Sequence, residues 1–182
     1  MPVIEINTDR LLIRPIGMTD CDALFRYKSD IITNQYQGWV PKQLVDVHNF
    51  VKNKISPAIN IADTWYQLAI VIRENGTLIG DIGLHFIDQE NKQVEIGFSL
   101  DKNYHGKGYA TEATEKVIEY LFKKLNKHRI IASIDPENVK SLKLLERLGF
   151  RKEAHFKKSI FFKGKWVDDV IYAILHEEWI IR

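Results

Sequence analysis

Two glycines one residue apart, Gly106 and Gly108, stand between an alternating apolar stretch that ends at Leu100 and a long amphipathic run that begins at Tyr109. A strand must therefore turn sharply into a helix there, on residues free to take positive φ. Such a turn gathers successive backbone N–H groups on one concave surface, at the positive end of the following helix. That combination favours an anion, most often a phosphate. Lys107 either adds charge to it or lies in water. The spacing excludes a Walker A loop, because no glycine stands five positions before Gly106. It also excludes the dinucleotide fingerprint, because Thr111 occupies the place of the third glycine and the preceding strand is not part of a βαβ unit. The competing reading is an ordinary glycine-containing strand-to-helix turn.

The rest of the chain reads as elements that share one core. Leu11, Ile13 and Pro15 alternate with Arg10, Leu12 and Arg14 in an edge-like strand that ends at the Pro. Thr19-Asp20-Cys21-Asp22 resembles a capping box and opens a helix toward Ser29. A second helix follows Pro41, carries Leu44, Val47, Val51 and Ile55 at helical spacing, and is interrupted at Ser56-Pro57. Trp65 to Ile72 and Leu78 to Ile87 form a hairpin around Glu74-Asn75-Gly76, and Gln93 to Leu100 adds a third strand of a meander. The helix after Gly108 buries Ala113, Val117, Leu121 and Leu125. Arg129 to Ile134 is a short strand, Asp135-Pro136-Glu137-Asn138 starts a helix that Gly149 ends, and Phe150 to Glu178 is β-rich around Lys163-Gly164-Lys165. The fold class is α/β (α+β), a mixed sheet in a sandwich.

With 182 residues and no linker-like segment, residues 1–182 are expected to be a single domain. The 26 Lys and Arg balance 24 Asp and Glu, so direct nucleic-acid binding and electrostatic membrane binding are not expected. The single Cys21 excludes a disulfide framework, and the six histidines show no metal spacing, so no metal is expected. Met1 to Ile6 lacks a signal pattern, and no stretch approaches the roughly 18 apolar residues of a membrane span, so a cytoplasmic protein is expected.

Asn103 to Ala110 resembles the acyl-CoA pyrophosphate loop of the GCN5-related N-acetyltransferase (GNAT) superfamily, whose pattern is Gln/Arg-x-x-Gly-x-Gly/Ala. Asn103 departs from the usual Gln or Arg, while Gly106 and Gly108 match. Thr8 to Pro15, Gly106 to Ala113, Asn138 with Ser141, and Leu148-Gly149-Phe150 resemble the RimL/RimJ-like branch, the ribosomal-protein N-terminal acetyltransferases. The resemblance covers nearly the whole chain. It implies a three-layer sandwich of about seven strands, mostly antiparallel, and about four helices. It also implies acetyl-CoA as co-substrate, contacted by Phe98, Ser99, Leu100, His105, Gly106, Lys107, Gly108, Tyr109, Ala110, Asn138 and Ser141.

The implied reaction carries the acetyl group from a thioester to an amine. An α-amine has a pKa near ~8 and a lysine amine near ~10.4, so the acceptor must lose a proton before it attacks. Glu95, on the polar face of the strand leading to the glycine turn, is the candidate base or ligand of the incoming amine; otherwise it is a solvated carboxylate. Gly97 suggests either a bulge or close backbone approach that frees N–H groups for an oxyanion, or relief beside a large side chain. Many members of the superfamily place a Tyr at the position of Leu145, which cannot donate to the leaving thiolate. Ser141 could donate instead, or serve as a capping-turn hydroxyl. Asn138 is expected to cap its helix and, by resemblance, to contact pantetheine. Tyr36-Gln37-Gly38-Trp39 is expected to wall the amine side.

The acceptor is expected to be a primary amine, foremost the N-terminal α-amine of a ribosomal protein. The alternatives are a small amine such as a polyamine or antibiotic, and a non-catalytic acyl-CoA-binding module. A homo-oligomer is also expected, since a β-rich C-terminus can leave a sheet edge for a second copy.

Overall fold

The computed structural model describes residues 4–181; Met1, Pro2 and Val3, part of the N-terminal run read for a signal, and Arg182 lie outside the described residues. In chain order the elements are β1 (Ile6–Asn7), β2 (Leu11–Pro15), α1 (Cys21–Lys28), α2 (Leu44–Asn53), β3 (Thr64–Ile72), β4 (Leu78–Phe86) and β5 (Gln93–Leu100). Then follow α3 (Tyr109–Lys123), β6 (Arg129–Ile134), α4 (Val139–Arg147), β7 (Arg151–Phe162), β8 (Lys165–Leu175) and α5 (His176–Ile180).

The strands form one sheet in the order β1-β2-β3-β4-β5-β6-β8-β7. Every neighbouring pair is antiparallel except β5 and β6, which are parallel and joined through α3. A parallel pair needs such a crossover, whereas the antiparallel pairs β3–β4 and β7–β8 close through tight turns. Asn75-Gly76 makes the first of these, with Gly76 at φ 70°, and Lys163-Gly164 makes the second.

Alternation assigns the two sheet faces. Tyr66, Leu68, Ile70, Ile82, Leu84, Phe86, Val94 and Ile96 pack on Ala113, Val117, Leu121, Leu144 and Leu145 of α3 and α4. The opposite face carries Ala69 and Val71 against Cys21, Leu24, Tyr27, Val47 and Val51 of α1 and α2. The result is the expected three-layer sandwich, helices on both faces of a mixed sheet. Cys21 is buried, and burial with Asp20 and Asp22 nearby pushes its thiol up, away from reactivity.

The described residues form eight strands and five α-helices, where about seven and about four were expected. The additional strand, β1, is two residues long and too short to show an alternation. It pairs with β2, so β2 is not an edge strand. The additional helix begins at His176, inside the stretch expected to be β-rich, because the Glu178 carboxylate accepts from the Leu175 N–H (2.7 Å) and caps a new turn. The box expected at Thr19 is displaced: Asp20 Oδ2 accepts from the Gly17 N–H (2.8 Å), and its carboxylate is held low by Arg14, bonded through both guanidinium nitrogens.

Candidate functional site

The β5–β6 ladder is short. Gln93, Val94 and Glu95 face Arg129, Ile130 and Ile131, and beyond Glu95 the strands part. Residues 96–100 stay paired to β4, through Gly80 opposite Leu100, but among the described residues no strand pairs with their other edge. β6 meanwhile remains paired with β8 to its end at Ile134. A wedge therefore opens at the sheet centre, between two strands whose outer neighbours hold them in place.

Gly97 stands in this wedge, and an ideal Cβ built there would meet no heavy atom within 4 Å. The reading of Gly97 as relief beside a large side chain thus fails. Gly80 is the contrast, since a Cβ there would lie 2.4 Å from the Ser99 carbonyl oxygen. One glycine is demanded by crowding, the other faces open space.

The wedge leads into the glycine turn. Gly106 and Gly108 take φ of 75° and 81°, and Gly108 is the residue before α3. Among the described residues nothing accepts from the N–H groups of Gly106, Lys107 or Gly108, and the first turn of α3 adds further free donors. Arg10 braces the turn from β2: its Nη1 donates to the Lys107 carbonyl (2.9 Å), its Nε donates to Glu112 (2.7 Å), and its guanidinium lies 4.5 Å over the Tyr109 ring. Lys107 Nζ lies 5.3 Å over the Tyr104 ring. His105, an exposed side chain, has Nε2 2.9 Å from the Leu100 carbonyl oxygen. Asn103, the departure from the motif, is bonded to Asp101 by both its side-chain and backbone nitrogens.

Across the wedge, Asn138 caps α4 as expected, accepting from the Ser141 N–H (3.3 Å). The Ser141 hydroxyl makes no bond to its local backbone among the described residues, so the capping-turn alternative for that hydroxyl is not what forms. Leu145 is fully buried.

Glu95, the last residue paired to β6, points to the face opposite Val94 and Ile96, both buried. On that same face lies a cavity of about 710 Å³, between the sheet and the α1–α2 side, lined by Trp39, Phe50, Trp65, Gly97, Phe98 and Ser99 among others. Gln37, Gly38 and Trp39 are in its wall, as expected of that stretch; Tyr36 instead donates to the Glu137 carbonyl (3.2 Å). Ser99 presents its hydroxyl to this side, where it bonds Lys28 Nζ (3.1 Å).

The cavity floor is a buried polar cluster that sequence reasoning missed. Asp81 receives the Tyr27 hydroxyl and the Gln67 amide and pairs with Lys28 (2.9 Å). Burial, reinforced by Asp81, holds the Tyr27 hydroxyl well above its ordinary range, so it remains a donor. A row beside the cavity was missed too. Trp65, His85 and Glu95 stand opposite one another on β3, β4 and β5, with His85 stacked on Trp65 and its Nδ1 3.3 Å from Glu95 Oε2. The signal that finds this row is hairpin register rather than residue type.

Comparison with known proteins agrees with this arrangement. Residues 10–151 match the acetyltransferase (GNAT) domain family. An uncharacterized N-acetyltransferase of Bacillus subtilis, YnaD, is 38% identical over 179 residues, 97% of this chain and 99% of the relative. The [ribosomal protein uS5]-alanine N-acetyltransferase of Escherichia coli is 37% identical over 84 residues, 46% of this chain and 43% of that protein. A crystal structure of a GNAT-family acetyltransferase from Bacillus anthracis superposes with a TM-score of 0.86 at 35% identity, covering 96% of this chain and 99% of that one. Spermidine N-acetyltransferase from Vibrio cholerae, solved with CoA and spermine, shares the fold: TM-score 0.81, 22% identity, 95% and 99% coverage.

Proposed function

The chain belongs to the GNAT acetyltransferase family and is an N-acetyltransferase; from that premise we propose that it carries the acetyl group of acetyl-CoA to the N-terminal α-amine of a ribosomal protein. Family membership sets the non-catalytic binding-module reading aside. The observation that carries the proposal is the parting of β5 from β6 at Glu95, beside a cavity on the same sheet face.

Acetyl-CoA fits what this chain offers. The open edge of residues 96–100 and the space at Gly97 suit an extended pantetheine arm pairing as a strand would. The free N–H groups at Gly106, Lys107 and Gly108, with Tyr109 and Ala110 in the first turn of α3, suit its pyrophosphate. Phe98, Ser99 and Leu100 contribute backbone. His105 supports the turn through Leu100 and is exposed beside it for contact with the co-substrate. Asn138 and Ser141 face the same ligand from α4, and the unbonded Ser141 hydroxyl is the donor for the departing thiolate. When bound, the thioester supplies the activated acetyl group.

The chain's own residues do the rest. Glu95 takes the proton of the incoming ammonium, which at neutral pH is the dominant form of an amine with a pKa near ~8. A backbone N–H freed at the splay donates to the developing oxyanion. Trp39, Phe50 and Trp65 give the cavity an apolar wall beside the reacting amine.

Charge favours an α-amine over the polyamine alternative. The carboxylates lining the cavity are engaged, Asp81 by Lys28, Tyr27 and Gln67, and Asp46 by the N–H groups of Lys42 and Gln43 at the start of α2. Lys28 and Lys54 also line it, so a polycation meets cations and engaged acids in its lining. The relative named for uS5-alanine acetylation supports the ribosomal acceptor over the part it matches. Such an acceptor places the reaction in the cytoplasm; no helix among the described residues is long and apolar enough to cross a membrane. The exposed edge strand β7, with Phe156, Ile160 and Phe161 on it, supports pairing with a second copy.

The test is CoA release measured over a panel of ribosomal-protein N-terminal peptides, polyamines and small amines. Turnover is expected on peptides with a free α-amine and not on their N-acetylated forms; turnover on spermidine alone would reverse the choice of acceptor.

A further inference from the structure

His85 belongs to no motif, yet three features fix it beside Glu95. The register of two adjacent hairpin pairings sets Trp65 opposite His85 and His85 opposite Glu95. The imidazole lies flat on the Trp65 indole, with centroids 4.7 Å apart and planes 8° apart, so its rotation is restrained. Glycine at 83 leaves room for the indole: a Cβ there would lie 3.2 Å from it, tighter than an ordinary contact. The stack therefore aims Nδ1 at the carboxylate, 3.3 Å away, and leaves Nε2 without a partner among the described residues. Both side chains are partly open, 24% for His85 and 28% for Glu95, so water reaches the pair.

A carboxylate alone is a poor resting place for an ammonium proton. With reference pKa values near ~8 for the α-amine and ~4.3 for Glu, the transfer is uphill by roughly 4 units. The proton must therefore pass on to water, and the carboxylate must be held where both the amine and water reach it. We propose that His85 is a positioning residue for the reaction: its Nδ1–H donates to the Glu95 carboxylate and holds it toward the acceptor, Glu95 takes the ammonium proton, and water at the open side of the pair, hydrogen-bonded to Nε2, carries that proton away. The ammonium N–H bond breaks, Glu95 returns to carboxylate, and the net product of the relay is free amine and one proton in solvent.

The groups around His85 are consistent with this path. From β5 it faces Glu95; from β3 it faces uncharged Trp65 and, further along, Gln67. From α1, Lys28 and Tyr27 are spent on Asp81 of its own strand. Before β3, Asp63 approaches through its N–H to the Phe86 carbonyl (2.6 Å).

The proposal rests on Glu95 as the base, and the test separates the two. His85→Gln and His85→Asn are assayed with Glu95→Gln for kcat, acceptor KM and acetyl-CoA affinity across pH. Both His85 variants are expected to lose about 10- to 100-fold in kcat near neutral pH, a part of the typical general-base contribution. The loss should shrink to about twofold near pH 9.5, where an α-amine is already free. Removing the stacked imidazole in His85→Gln should change tryptophan emission, a change absent when the same substitution is made in Trp65→Phe. A defect that is equal at all pH values, or absent while Glu95→Gln is impaired, overturns the role of His85 alone. Wild-type turnover by Glu95→Gln overturns the base and the relay with it.

Discussion

The two halves of β5 differ in what surrounds them. Residues 93–95 are paired on both sides, to β4 and to β6, and Val94 sits in the main core. Residues 96–100 keep β4 but have no strand on the other side, and carry Gly97 with open space at its Cβ. A sheet ordinarily completes its ladders, since an unpaired buried backbone group costs free energy. Here the second half is left incomplete while its neighbours on both flanks are secured. The difference teaches that the strand is built as half a scaffold and half a binding edge, with Glu95 at the boundary.

Breaking that boundary chemically should have the largest effect. Glu95→Gln keeps the side chain's shape and is expected to lower kcat by about 100- to 1000-fold, with acetyl-CoA affinity, read by calorimetry, unchanged within about twofold. Filling the binding edge comes next. Gly97→Val places a branched side chain in the open space and should weaken acetyl-CoA binding by about 30-fold, with a melting temperature no lower than wild type. Its counterpart Gly80→Ala sharpens the contrast, because the added Cβ meets the Ser99 carbonyl oxygen of the neighbouring strand. Overpacking of that kind costs about 1–3 kcal/mol, seen as a lower melting temperature, while the folded fraction still binds acetyl-CoA. The smallest effect is expected of Ser141→Ala, about tenfold in kcat with acetyl-CoA affinity and stability preserved, since its hydroxyl holds no structural bond.

The sequence was most legible where local rules govern. Alternation in Gln93 to Leu100, the positive φ required at Gly106 and Gly108, and the cap at Asn138 each follow from a few neighbouring residues, and the structure contains all three. The splay is legible only as a hint at Gly97, because it depends on where β6 leaves β5 after a crossover through α3. The Asp81 cluster is not local at all: Tyr27 and Lys28 come from α1, Gln67 from β3 and Ser99 from β5. A histidine at 85 carries no pattern of its own, and its role emerges only from the β3–β4 register, which slips by one residue between Ile70 and Val71 and so sets it against Trp65. β1 and α5 escaped for a simpler reason, each being too short for a period to show.

The central claim, that residues 96–100 form an open edge completed by acetyl-CoA, is tested most directly by amide hydrogen exchange of the full chain with and without the co-substrate. The account predicts that peptides covering 96–100 and 106–110 exchange faster than 93–95 in the free protein and gain protection when acetyl-CoA is added, while 93–95 changes little. Equal protection along all of β5 without the co-substrate, or no change at 96–100 under saturating acetyl-CoA, would contradict it.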